Sequence, residues 1–65
     1  VTPADADLRA RFIAELHAAG RPCLAATVAT CCHSARDVRL VAGLRAWAYV
    51  LPLLSAALRA DLGLL

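Results

Sequence analysis

The chain has no lysine, asparagine, glutamine or methionine. Its seven cations are therefore all arginine, which together with the alanine content points to a GC-rich coding sequence. Glycine and proline number three each, which excludes a collagen-like or low-complexity chain. Charge is sparse at 18 %, yet 62 % of the residues are hydrophobic, so the composition is not that of a disordered segment. The net charge is only +2 and the arginines form no run, which argues against a dedicated nucleic-acid arm. Cysteine is present but odd in number, at Cys23, Cys31 and Cys32. One thiol must stay free, and a bridge between the adjacent Cys31 and Cys32 would close a strained ring. A secreted disulfide scaffold is thus not expected, and a reducing, cytoplasmic compartment is. No charged stretch followed by an apolar one opens the chain, so no secretory signal is read. Val1 is compatible with a GTG-coded start, a processed end or a cut within a larger helical protein.

The motifs of common catalysis are also missing. There is no Ser-His-Asp pattern, no glycine-rich phosphate loop and no HExxH, and 65 residues leave little room for a pocket. A chain this short buries about 60 % of the surface its unfolded form exposes. The expectation is one non-enzymatic domain over residues 1–65, without cofactor or metal.

What is abundant is alanine and leucine, 28 of the 65 positions, and both favour helix. The first segment predicts a helix over residues 3–19. Thr2 is the N-cap candidate, Pro3 the first helical position and Asp5 the acid of a capping-box variant. Leu8, Phe12 and Leu16 follow at i, i+4, i+8, with Ile13 beside them. Asp5–Arg9, Asp7–Arg11 and Arg11–Glu15 have the spacing of helical ion pairs. Gly20 then serves as a left-handed C-cap, and Pro22 prevents continuation.

Between Arg21 and Arg36 no residue is charged. Thr27, Val28 and Thr30 are β-branched, but a lone strand would find no partner for its backbone, so residues 22–33 are read as helix. Ser34 to Asp37 forms a second capping-box variant. Behind it Val38, Val41, Leu44, Ala48 and Leu51 recur at helical spacing, with Leu40 and Trp47 broadening the face. Pro52 should kink or split this helix, after which Leu54, Leu58 and Leu62 continue the stripe and Gly63 ends it. The predicted fold class is all-α, a small bundle of three helices with the last kinked or split at Pro52.

Four features bear on function. Residues 46–58 form the longest strongly apolar run, short of the roughly 20 residues a membrane span needs. Cys31, Cys32 and His33, with Cys23 and His17 upstream, are the only soft-ligand group. Adjacent positions on a helix diverge by about 100°, which does not clasp one ion, so small apolar packing explains the cysteines better. His17 suits the end of the first helix, and Asp61 has no evident partner and reads as solvated. Gly43, beside Ala42-x3-Ala46, suggests a close helix contact.

The apolar excess exceeds what a three-helix monomer should hide, and large exposed apolar surface marks interaction sites. The expected function is therefore helical association or oligomerisation, with a second copy or a larger protein as partner. The candidate interface is Leu40, Leu44, Trp47, Leu51, Leu54 and Leu58, with Trp47 as anchor. The alternative is a membrane-interface or membrane-active amphipathic helix using the same face. Third is a DNA-binding helix-turn-helix that turns at His33-Ser34, with Arg36 and Arg39 as readers.

Overall fold

The computed structural model describes residues 3–64, with side chains from Asp7 onward. The Thr2 cap, the Asp5 acid and the Asp5–Arg9 pair therefore lie outside the described residues. The chain is all-helical, with no strand among the described residues. In order come α1 (Pro3–Ala18), α2 (Pro22–Cys31), α3 (Ala35–Ala42), a 3-10 helix (Arg45–Leu53) and α4 (Ala56–Asp61). The spine is α1, against which α2, α3 and α4 each pack, while the 3-10 helix packs on α3.

The buried face of α1 is Leu8, Phe12 and Leu16, the expected stripe, with Ile13 half-buried at its edge. Its end is a Schellman motif. Gly20 adopts φ +76°, its N–H donates to the His17 carbonyl at 3.0 Å, and the Arg21 N–H donates to the Leu16 carbonyl at 2.9 Å. The last helix ends the same way. Gly63 has φ +81°, and the N–H groups of Gly63 and Leu64 donate to the carbonyls of Ala60 and Arg59.

The uncharged stretch after Pro22 is helical. It buries Ala25 and Val28 together with Cys32 just past its end, at i, i+3, i+7. Thr27 and Thr30 are exposed, and each hydroxyl donates to a carbonyl one turn back, Cys23 and Ala26, at 2.9 Å. Those bonds accommodate β-branched residues in a short helix. Arg9 closes the other end. Its Nε donates to the Cys32 carbonyl at 2.7 Å and its Nη2 to the Ala29 carbonyl at 3.0 Å, placing a cation at the negative end of the α2 dipole.

The Ser34 cap forms as expected: its Oγ accepts from the Asp37 N–H at 3.3 Å. Asp37 returns the favour one residue early, its Oδ2 accepting from the His33 N–H at 2.9 Å. Beyond α3 the structure departs from the expected long helix. Gly43 ends α3 in a right-handed conformation, and Leu44 turns extended at φ −70°, ψ 136°. The split thus falls at Gly43–Leu44 and again at Leu54–Ser55, while Pro52 lies within the 3-10 helix.

A change of period explains the difference. In α3 the buried residues Ala35, Val38 and Ala42 keep the α-helical spacing. In the next segment the core side is Trp47, Val50 and Leu53, three residues apart, and the opposite edge is Ala46, Tyr49 and Pro52, all exposed. Three residues per turn is the 3-10 period, so this winding keeps one edge on the core where an α-helix would rotate it away. The expected spacing through Leu44, Ala48 and Leu51 was therefore misleading, since Leu44 and Ala48 are exposed. Gly43 makes no close helix contact either. A Cβ built there meets only its own helix's carbonyls, the nearest at 3.4 Å.

The last turn depends on α1. Ser55 is the N-cap of α4, its Oγ accepting from the Leu58 N–H at 3.1 Å. Glu15 completes this cap from 40 residues away, its Oε1 accepting from the Ser55 N–H at 2.6 Å and its Oε2 from the Ser55 hydroxyl at 2.9 Å. At the other end of α4, Asp61 pairs with Arg11 at 2.6 Å. Asp61 is thus not merely solvated, and Arg11 spends its guanidinium on α4. The Asp61 hydrogen bond raises the Arg11 pKa most, with weaker attraction from Asp7 and Glu15.

Candidate functional site

The six residues expected to form an interface separate into three groups. Leu54 and Leu58 are 4 % and 0 % exposed, so both belong to the chain's own core and offer a partner nothing. Trp47 and Leu51 are half-buried and pack on that core. Leu40 and Leu44 are 60 % and 52 % exposed. The correction for Leu54 and Leu58 has a simple cause. Leu58 belongs to a separate helix that folds back onto α1, and Leu54 to the bend that leads into it, so both face inward.

The accessible surface is 4015 Å², close to the ~4,000 Å² expected of a folded monomer of 6.8 kDa. The radius of gyration, 10.5 Å, matches the ~10.7 Å of a compact chain this long. Among the described residues the exposed large hydrophobics are Leu40, Leu44 and Tyr49, all within one ten-residue stretch. Tyr49 was outside the expected set. Its exposure follows from the three-residue period, which puts it on the outer edge with Ala46 and Pro52.

Tyr49 also forms part of a groove of about 420 Å³ between the 3-10 helix and the start of α2. Leu53 stands beside it, and Arg21, Pro22, Cys23 and Leu24 line the facing side. Residues 21–24 were not anticipated as a site. Their signal was the Schellman turn followed at once by Pro22, a corner that leaves the first turn of α2 facing outward. That turn has no acidic residue and no side-chain cap.

The charges are unevenly shared between the two parts of the chain. From Ala19 to Ala60 there are five arginines and one carboxylate, Asp37, a formal +4, whereas the remainder has two arginines and four carboxylates, a formal −2. Arg36, Arg39, Leu40 and Gly43 are spaced i, i+3, i+4, i+7 and all exposed, so α3 presents one outward face of two arginines and a leucine. Among the described residues the side chains of Arg21, Arg36 and Arg45 form no hydrogen bond or ion pair. The predicted readers Arg36 and Arg39 do lie exposed on α3, while Asp37 between them is held in the helix cap.

The other candidates stay apart. Cys23 and Cys31 are exposed and Cys32 is buried, so only Cys32 is the core packer expected of all three. Burial pushes the Cys32 thiol pKa up, helped by Asp37 and Cys31 and opposed by Arg9. Among the described residues no three His, Cys, Asp or Glu side chains converge on a metal-sized site. His33, Ser34 and Asp37 are close, but their bonds run through backbone N–H groups and cap α3, so no relay of side chains forms. No described helix is long and apolar enough to cross a membrane. The run 46–58 is divided between the 3-10 helix and α4.

Comparison of the chain with protein-family models, with curated proteins and with solved structures found no match.

Proposed function

We propose that this chain is a small non-enzymatic interaction module that binds another protein chain through the surface carried by α3 and the 3-10 helix. The observation behind this reading is the exposure of Leu40, Leu44 and Tyr49 where the other large hydrophobics among the described residues are buried or half-buried. Each leucine is a little over half exposed and so forgoes about 1–1.5 kcal/mol of burial, which a partner recovers. The interface set accordingly contracts to Leu40, Leu44 and Tyr49, with Trp47 and Leu51 as the half-buried floor. Trp47 also holds the chain's own core, so its truncation would mix folding with binding.

The test is association measured by sedimentation across a concentration series, in parallel with selection from a random peptide library against the full chain in reducing buffer. The variant Leu40→Asp/Leu44→Asp/Tyr49→Asp should keep the helical circular dichroism and abolish whichever association is found. A chain that neither self-associates nor selects any peptide refutes the module reading, as does association that survives the triple variant.

A further inference from the structure

Resting on that reading, we infer that the partner is an acidic amphipathic segment of another protein, seated in the groove between the start of α2 and the 3-10 helix. The groove walls are largely apolar, from Pro22, Leu24, Tyr49 and Leu53, with Arg21 among them, and their 420 Å³ holds a few apolar side chains of an incoming segment. A concave site of this kind suits side chains projecting from a peptide better than the flat face of a bilayer. Charge selects the rest of the partner. Residues 21–53, which carry the groove and the exposed leucines, have four arginines against the one carboxylate of Asp37, a formal +3, and Arg21 stands in the groove wall.

A second copy supplies the wrong chemistry. A symmetric contact through this face would set the arginines of one copy against those of the other. Nor do the other described side chains offer the missing acids. Glu15 is bonded to Ser55, Asp37 to His33 and Asp61 to Arg11, which leaves Asp7 as the one carboxylate among the described side chains without a hydrogen bond. The complement must come from outside, with acidic residues beside large apolar ones at helical spacing. The first turn of α2, lacking an acid or a side-chain cap of its own, favours the same sign of partner.

The experiment reads the composition of peptides selected from the random library by the full chain. Enrichment of Asp and Glu next to Leu, Ile, Phe or Trp is the expected result. Binding of the selected peptides should weaken about fivefold or more in Arg21→Glu and fall with added salt. Tyr49→Ala should weaken it too, and both residues are exposed, so the fold should be retained. Selection of neutral or basic peptides overturns the acidic partner while leaving the module reading intact. Self-association that Leu40→Asp/Leu44→Asp dissociates, with no peptide selected, also overturns it and makes the partner a second copy. Binding confined to vesicles rich in anionic phospholipid overturns it in favour of a membrane surface. If no association of any kind is seen, both readings fall.

Discussion

Removing the Glu15 carboxylate tests whether α4 is held in place by a cap borrowed from α1. The Glu15 oxygens accept from the Ser55 N–H and hydroxyl at 2.6 and 2.9 Å, and Ser55 in turn accepts from Leu58. Hydrogen bonds to charged groups contribute about 1.5–3 kcal/mol when sheltered. These two are exposed, so water replaces much of the loss, and an N-cap alone contributes about 1 kcal/mol. Glu15→Ala should therefore destabilise the domain by about 1–2 kcal/mol. With an m-value near 1 kcal/mol/M for a chain this small, the urea midpoint should fall by about 1–2 M. Since α4 carries Leu58 and Leu62 into the core, its amides should lose exchange protection before those of α1. A double-mutant cycle with Ser55→Ala isolates the contact, with an expected coupling of about 1 kcal/mol. A loss below about 0.3 kcal/mol, or strict additivity of the two changes, would refute the shared cap.

Four further outcomes follow from the same structure. Gly43→Ala should raise stability by about 0.5–1 kcal/mol, because its backbone is right-handed and its Cβ has room, whereas Gly20→Ala should lower it, with φ at +76°; thermal melts distinguish the signs. Native thiol titration should find Cys23 and Cys31 reacting fast and Cys32 only as the chain unfolds. The raised Cys32 pKa means the fold prefers the neutral thiol, so its contribution is complete below the ordinary thiol range, about 8.5, and is lost as pH climbs past the folded value. Cys32→Ala should flatten that alkaline decline, and an unchanged slope would contradict it. Leu58→Ala should cost about 2–5 kcal/mol, enough to unfold a domain this small, whereas Leu40→Ala should change stability by less than about 0.5 kcal/mol. Urea melts of the two variants check the division between core and surface.

Local chain chemistry sets the features that act within a turn or two of backbone. The apolar stripe of α1, the glycines that end α1 and α4, the Ser34–Asp37 cap and the start of α2 at Pro22 were legible because each depends on neighbours three to five residues apart. So was the all-helical class, since no two segments could pair as strands. The tertiary structure alone decided where the third helix breaks and which leucines face outward. Leu44, Ala48 and Leu51 fit a 3.6-residue period in sequence, but the need to keep Trp47, Val50 and Leu53 on the core selected a three-residue period instead. The same period left Tyr49 on the surface, and the bend that turns α4 back onto α1 buried Leu54 and Leu58. Glu15 and Asp61 were likewise unreadable as partners, because theirs lie 40 and 50 residues away. Contacts at that separation depend on how whole helices stack, and helix stacking is set by the shapes of their buried faces rather than by any local spacing.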